Sequence, residues 1–300
     1  MPVAVVNGGE LVREAFRNGY AVPAINTQGG AYEIVRAILE AAAEERSPIL
    51  LMAYETNTTY YGLGWLPFLA QRLSAETGST LGVHLDHGRS VETAIAAVDA
   101  GYTSVMIDYS AQPLGENISA TNQVIAYARS RGVAVEAELG ELGRAAVRNA
   151  SVAEAASGGE PGEGNEHLVR PGDVKQFLDA CSVDMLAIGI GNAHGFYEGE
   201  PGIRLDLLRE VRSLSGDTPL VLHGSTGIPD PVVRNCIEGG MAKINFGTLI
   251  RTRALQHLSG ALDGGCEHGG HLWRVNQHVC AKLKEDVRPL FRLCGSAGRL

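Results

Sequence analysis

An excess of positive charge is the first thing this sequence lacks. It has 25 lysines and arginines against 34 aspartates and glutamates, a formal net charge of -9, and its basic residues are scattered. That balance argues against nucleic acid or an anionic membrane surface as the main partner. No apolar run approaches a membrane span, and the opening MPVAVVNGGELVREAFRNG has no basic segment leading into an apolar one. The expectation is a soluble, cytoplasmic protein with no membrane partner. Cysteine is sparse: Cys181, Cys236, Cys266, Cys280 and Cys294 are odd in number, widely spaced and free of any CxxC pair. They suggest neither a disulfide framework nor a thiolate zinc site, and read as reduced, mostly buried thiols.

What is present is 300 residues, 45% of them hydrophobic, enough for a sizeable core. Short β-branched runs alternate with longer amphipathic stretches from Ala21 to about Leu262, and the alternation repeats about eight times. This rhythm predicts an α/β protein, a single (β/α)8 TIM barrel, with one domain over residues 1–300. Strands are predicted over 22–25, 49–53, 81–85, 104–107, 133–137, 185–188, 220–222 and 242–245. The stretch AYEIVRAILEAAAEE sets Ile34, Val35, Ile38, Leu39 and Ala42 on one face, as a covering helix requires. Leu11, Val12 and Phe16 predict an N-terminal helix closing the barrel bottom. Residues 271–293 predict a C-terminal helical extension of the kind that mediates oligomerisation. Residues 144–166, rich in Gly, Ala and Glu, break the rhythm, and read either as a mobile loop on the C-terminal face or as a disordered surface insertion.

Three histidines fall just past predicted strand ends: His87 in GVHLDHG, His194 in GIGNAHG and His223 in LVLHGSTG. A barrel brings such positions together, and three neutral imidazoles with one open position form a catalytic zinc site. Any one of them alone would more simply be a hydrogen-bonded structural residue. His84 lies two residues before Asp86, so alternation faces both to one side, with His84 as interior packing. Asp86, at the mouth, can exchange a proton with substrate or orient a histidine. The Gly-rich turns His223-Gly224-Ser225-Thr226-Gly227 and Asn245-Phe246-Gly247-Thr248 follow the last two strands, where barrels bind phosphate, although tight turns need glycine in any case.

The motifs AVPAIN, HLDHG, SVMID, VEAELGELG, AHGFY, PLVLHGSTGIP and KIN occur in that order along most of the chain. In these the sequence resembles the class II, metal-dependent fructose-bisphosphate and tagatose-bisphosphate aldolases, as a divergent member. The resemblance implies a lyase joining dihydroxyacetone phosphate and an aldehyde through a metal-stabilised enediolate. It implies His87, His194 and His223 as ligands of one catalytic Zn2+ per subunit, with Glu138 auxiliary. Asp86 would be the acid/base at the aldehyde carbon, Asn245 would hold the enediolate or a hydroxyl, and Asn26 would orient substrate. Gly195, Gly224, Ser225, Thr226, Gly247 and Thr248 would line the donor phosphate, beside a monovalent cation, Na+ or K+. The expected partner is a small phosphorylated sugar, and the expected assembly a homodimer or homotetramer. Lys243 is the one lysine placed for a Schiff base, a mechanism that would leave the histidines unexplained.

The chain departs from that family on the acceptor side. Gly143-Arg144-Ala145-Ala146 replaces an acidic run thought to move the donor proton, leaving Glu141, Glu154, Glu160, Glu163 or Glu166 as substitutes. Tyr54 stands where a small serine is usual, Gly247 where Asp or Ala is common, and no clear arginine for a second phosphate lies near Leu272-Trp273-Arg274. An altered aldehyde, contacted by Arg144 and Arg148, follows as an expectation. A barrel metalloenzyme of another class, an epimerase or hydrolase, and a noncatalytic relative are the alternatives. CEHGGH, Cys266 to His271, reads as a surface turn in preference to a second metal site.

Overall fold

The computed structural model describes residues 5–140, 143–144, 168–197, 199–263 and 271–300. Eight parallel strands close into a barrel in the order β1-β10-β9-β7-β5-β4-β3-β2. They are β1 (Val22–Asn26), β2 (Ile49–Tyr54), β3 (Leu81–Gly88), β4 (Ser104–Ile107), β5 (Ala134–Leu139), β7 (Met185–Ile188), β9 (Leu220–Leu222) and β10 (Met241–Phe246). Two further strands, β6 (Gly143–Arg144) and β8 (Ala193–His194), pair only with each other. Five strands reach past their predicted ends: β1 to Asn26, β2 to Tyr54, β3 to Gly88, β5 to Leu139 and β10 to Phe246. Those added residues carry Asp86, His87 and Glu138.

Each strand divides its side chains between two apolar sets. Outward residues such as Ile25, Leu51, Val83, Val105 and Leu186 pack beneath the surrounding helices, whereas Val22, Ala24, Leu50, Met52, Ala134, Met185 and Val221 fill the interior. Helix α1 (Gly8–Arg17) plugs the bottom of that interior with Leu11, Val12 and Ala15. Its first turn is held by Asn7, whose side chain accepts from the Glu10 N–H at 3.1 Å.

The outer helices are α2 (Tyr32–Glu45), α3 (Glu55–Tyr61), α4 (Trp65–Thr77), α5 (Val91–Asp99), α6 (Leu114–Arg129), α7 (Pro171–Ala180), α8 (Leu205–Leu214), α9 (Asp230–Glu238) and α10 (Thr248–Asp263). The predicted face of α2 is buried throughout, with Ala37 and Ala41 added. The C-terminal extension is one 22-residue helix, α11 (Leu272–Leu293), which buries Val275, Val279, Leu283, Val287 and Leu290 at helical spacing. Of the cysteines, Cys181, Cys236, Cys280 and Cys294 are free and buried, and Cys266 lies outside the described residues.

Candidate metal and substrate site

Towards the C-terminal ends of the strands the interior changes from apolar to ionisable. Above Val22, Leu50 and Ala134 comes a sealed polar layer of His84, Ser104, Glu136 and Lys243, each 0% exposed. His84 Nδ1 lies 2.9 Å from Ser104 Oγ, and Lys243 Nζ lies 2.9 Å from Glu136 Oε2. Alternation could not assign a side to Lys243. A register shift between Met241 and Lys243 in the β10–β9 ladder sends it inward. Its amine is thus bound to Glu136 and sealed from the mouth, which leaves it no path to a substrate carbonyl.

Over this layer the three histidines converge. Alternation alone would face His87 outward like Leu85, but its φ of +49° reverses that. Such a left-handed backbone costs a non-glycine residue about 1 kcal/mol and recurs at functional positions. His194 comes from β8, held beside β9 by Tyr197, whose hydroxyl accepts from Ala193 N–H at 2.8 Å and donates to Gly224 O at 2.9 Å. Gly224 has φ +63°, and a Cβ there would stand 2.3 Å from Ala193 O, so only glycine permits this approach. His223 follows β9, its carbonyl accepting from Asn192 Nδ2 at 3.0 Å.

One ligand atom from each of His87, His194 and His223 lies within 4.8 Å of the others. His223 Nδ1 and His87 Nε2 face each other at 3.0 Å. Two imidazoles on a tetrahedral zinc at about 2.0–2.1 Å would set their nitrogens roughly 3.3 Å apart, so the spacing fits a shared ion. The far nitrogens are held by carboxylates: His223 Nε2 lies 2.8 Å from Glu136 Oε1, and His87 Nδ1 lies 2.7 Å from Asp108 Oδ2. Carboxylates accept, so these contacts place the protons on the far nitrogens and leave the near lone pairs for a metal. A second group, His87, Asp108 and Glu138, shares the first histidine. Glu138, an expected auxiliary ligand, therefore stands on the Asp108 side of His87, 4.0 Å from its Nδ1.

Four buried polar atoms around this mouth have no hydrogen-bond partner among the described residues: Asp86 Oδ2, Glu138 Oε2, Asn26 Nδ2 and Asn245 Oδ1. Folded proteins rarely leave such atoms unsatisfied, so four on four strands mark a ligand site. Burial raises the Asp86 carboxyl, against the attraction of His87. Glu138 is raised further, by burial and by Asp108. Burial alone would lower His87, but Asp86, Asp108 and Glu138 outweigh it and push the imidazole up to about 10. His223 is held well below the ordinary histidine value by burial and by the charge of His87.

The other sequence-predicted residues border the same mouth. Asn245 Nδ2 donates to Asp86 Oδ1 at 3.1 Å, and Asn26 Oδ1 accepts from both nitrogens of Gln28. Ser225 Oγ donates to Asn245 O at 2.5 Å and Thr226 Oγ1 accepts from Leu249 N–H at 3.3 Å, so both hydroxyls fasten the two glycine-bearing turns to each other. Gly195, at φ +109°, follows His194, while Gly247 and Thr248 open α10. Two participants escaped the sequence reading, Asp108 and Glu136. Their signals were in the quoted motifs: the last letter of SVMID, and the two-residue spacing that puts Glu136 and Glu138 on one face. The five glutamates expected to replace the missing acidic run, with Ala145, Ala146 and Arg148, lie outside the described residues, and Arg144 is described only as backbone in β6.

A closed parallel barrel with convergent imidazoles and carboxylates at the C-terminal ends of its strands defines a barrel enzyme with a cation-ready centre. The chain belongs to the class II fructose-bisphosphate aldolase family, whose model, fructose-bisphosphate aldolase class-II, matches residues 6–299. It is an aldolase, a lyase, in a family that acts on small phosphorylated sugars. Among solved structures it is similar to the YdjI aldolase from Escherichia coli K12, at 24% identity, TM-score 0.81 and 99% coverage of both chains. A putative fructose-1,6-biphosphate aldolase from Coccidioides immitis matches at 24% identity and TM-score 0.82, covering 98% of this chain and 97% of that one. Fructose-bisphosphate aldolase from Campylobacter jejuni matches at 19% identity and TM-score 0.79, with 99% and 97% covered. At these identities the likeness shows the fold, and the chain is a divergent member.

Proposed function

We propose that this aldolase is zinc-dependent and forms or cleaves a carbon–carbon bond between dihydroxyacetone phosphate, or a close analogue, and an aldehyde. The observation that carries the reading is the convergence of His87, His194 and His223 beside Asp86 and Asn245, with unpartnered polar atoms facing one mouth. In this reading the three histidines hold the ion and Glu138 assists from the Asp108 side. When bound, zinc supplies a Lewis acid that polarises the donor carbonyl, the part a Schiff-base lysine plays elsewhere.

The chain's own residues do the rest. Asp86 Oδ2, buried and without a hydrogen-bond partner among the described residues, takes and returns the proton of the hydroxyl at the aldehyde carbon, a task suited by the upward push that burial gives its pKa. Asn245 braces Asp86 through Nδ2 and keeps Oδ1 to accept from a hydroxyl of the donor. Asn26 orients the donor through its unpartnered Nδ2. Gly195, Gly224, Ser225, Thr226, Gly247 and Thr248 line the donor phosphate with backbone N–H groups, aided by Na+ or K+. The missing acidic run at Gly143-Arg144-Ala145-Ala146 and the missing arginine near Leu272-Trp273-Arg274 point to an aldehyde other than the usual phosphorylated one. The proposed setting is cytoplasmic, with the chain as a one-domain homodimer or homotetramer.

The test is deuterium exchange into dihydroxyacetone phosphate in D2O, followed by a screen of aldehydes with products identified by mass. Zinc-dependent exchange of the donor's α-proton is expected. Its absence in zinc-loaded protein would count against aldol chemistry through this site and for a hydrolase. Ordinary fructose-bisphosphate cleavage at typical rates would sink the altered acceptor.

A further inference from the structure

Tyr54 ends β2, its Cα in register with Asp86 of β3. Its ring stacks on His87, with centroids 6.0 Å apart and planes inclined by 30°. From there the phenol reaches across the mouth to the turn after β10. A Cβ built on Gly247 would stand 3.0 Å from the Tyr54 hydroxyl, 3.9 Å from its Cζ and 3.8 Å from Asn26 Cβ.

Gly247 is not among the positive-φ residues, so its backbone makes no demand for glycine. Space makes the demand: a side chain at 247 would meet the Tyr54 oxygen more closely than non-bonded atoms ordinarily sit. The hydroxyl thus crowds the place a 247 side chain would take, between the His87 ring and the start of α10, and Asn26, whose Nδ2 has no hydrogen-bond partner among the described residues, borders the same space. A neutral O–H there favours an acceptor carrying negative charge.

We infer that Tyr54 is a donor-binding residue, whose hydroxyl donates a hydrogen bond to the anionic end of the donor, and that Gly247 exists to make room for it. The identity of that anion as a phosphate rests on the function proposed above. The pair is a matched unit, because removing the hydroxyl leaves Cζ at 3.9 Å, ordinary contact distance for an alanine at 247.

The experiment is a double-mutant cycle of Y54F and G247A in zinc-loaded protein, with zinc content measured by elemental analysis. The reading is KM and kcat for solvent-proton exchange of dihydroxyacetone phosphate and of unphosphorylated dihydroxyacetone. Y54F is expected to raise KM for the phosphorylated donor about 10-fold, to leave that for dihydroxyacetone within twofold and to keep full zinc. G247A should cost about 10-fold in the parent and less than twofold on Y54F. Equal KM values for Y54F and parent, or an equal G247A penalty in both backgrounds, would overturn this assignment while the aldolase reading stands. No exchange by the parent would overturn both.

Discussion

At the residue scale, the site depends on two side chains sealed beneath it. Glu136 joins His223 on one oxygen and Lys243 on the other, inside a layer fully closed to solvent. Replacing a carboxylate that orients a metal-binding imidazole costs about 10–100-fold in metal affinity. E136Q should lose that much zinc affinity, measured by chelator competition, while keeping its circular dichroism. K243M strands a buried carboxylate and should lower unfolding free energy by about 3–5 kcal/mol. On the E136Q background the same change should cost far less, and additive penalties in a denaturant series would contradict the pair. His87 provides a pH signature. Its metal-free value of about 10 lies above the ordinary 6.5, so the stability its proton contributes is complete below pH 6.5 and fades as pH rises through about 10. Zinc competes with that proton. Metal-free protein should therefore lose Tm over this span while zinc binds more tightly, releasing about one proton per ion near neutrality. Calorimetry in buffers of different ionisation enthalpy counts the protons, and a count of zero would exclude a charged His87.

At the element scale, α1 acts as the stopper of the barrel, and Gly8 lets it seat. A Cβ at Gly8 would lie 2.3 Å from Ser104 Oγ, the atom that anchors His84 at 2.9 Å. G8A overpacks this joint and should cost about 1–3 kcal/mol in urea unfolding; an unchanged midpoint would show that α1 floats. Elements of this size were legible in the sequence, since their signal is periodic: eight strand runs, the α2 face and the α1 stripe all stand where alternation and helical spacing put them. What escaped has no period. The two-residue pair β6 and β8, which carries His194, has no room for a pattern. Gly88, where a Cβ would meet Met106 O at 2.5 Å, lets β3 run on beside β4, so the strand does not stop at residue 85. The inward turn of His87 is a backbone angle, and the side of Lys243 was hidden by a bulge. Asp86, Asn245 and the three histidines could be named from motifs, whereas Asp108 and Glu136 needed the contacts that their neighbours make.

At the scale of the whole molecule, α11 is fastened along one flank and bare at one end. Glu45 of α2 receives Arg288 at 2.9 Å and Arg292 at 2.7 Å, and Lys284 reaches Glu44 at 2.8 Å, while the apolar face beneath them is buried. Its first turn differs: Leu272 is 70% exposed and Trp273 58%, next to α10, where Leu255 and Leu262 are 62% and 61% exposed. Single exposed apolar residues are ordinary, but four on two packed helices offer apolar surface that a partner would cover. A second copy meeting this surface across a twofold axis would cover each patch with its equivalent, the commonest route to a closed oligomer. Light scattering should then give a multiple of 31.7 kDa for the parent. L255E combined with W273E should move the mass to that of one chain, with the barrel's circular dichroism retained. A parent that already runs at the mass of one chain at micromolar concentration would remove self-association from the proposed assembly, and leave the patch to a different partner.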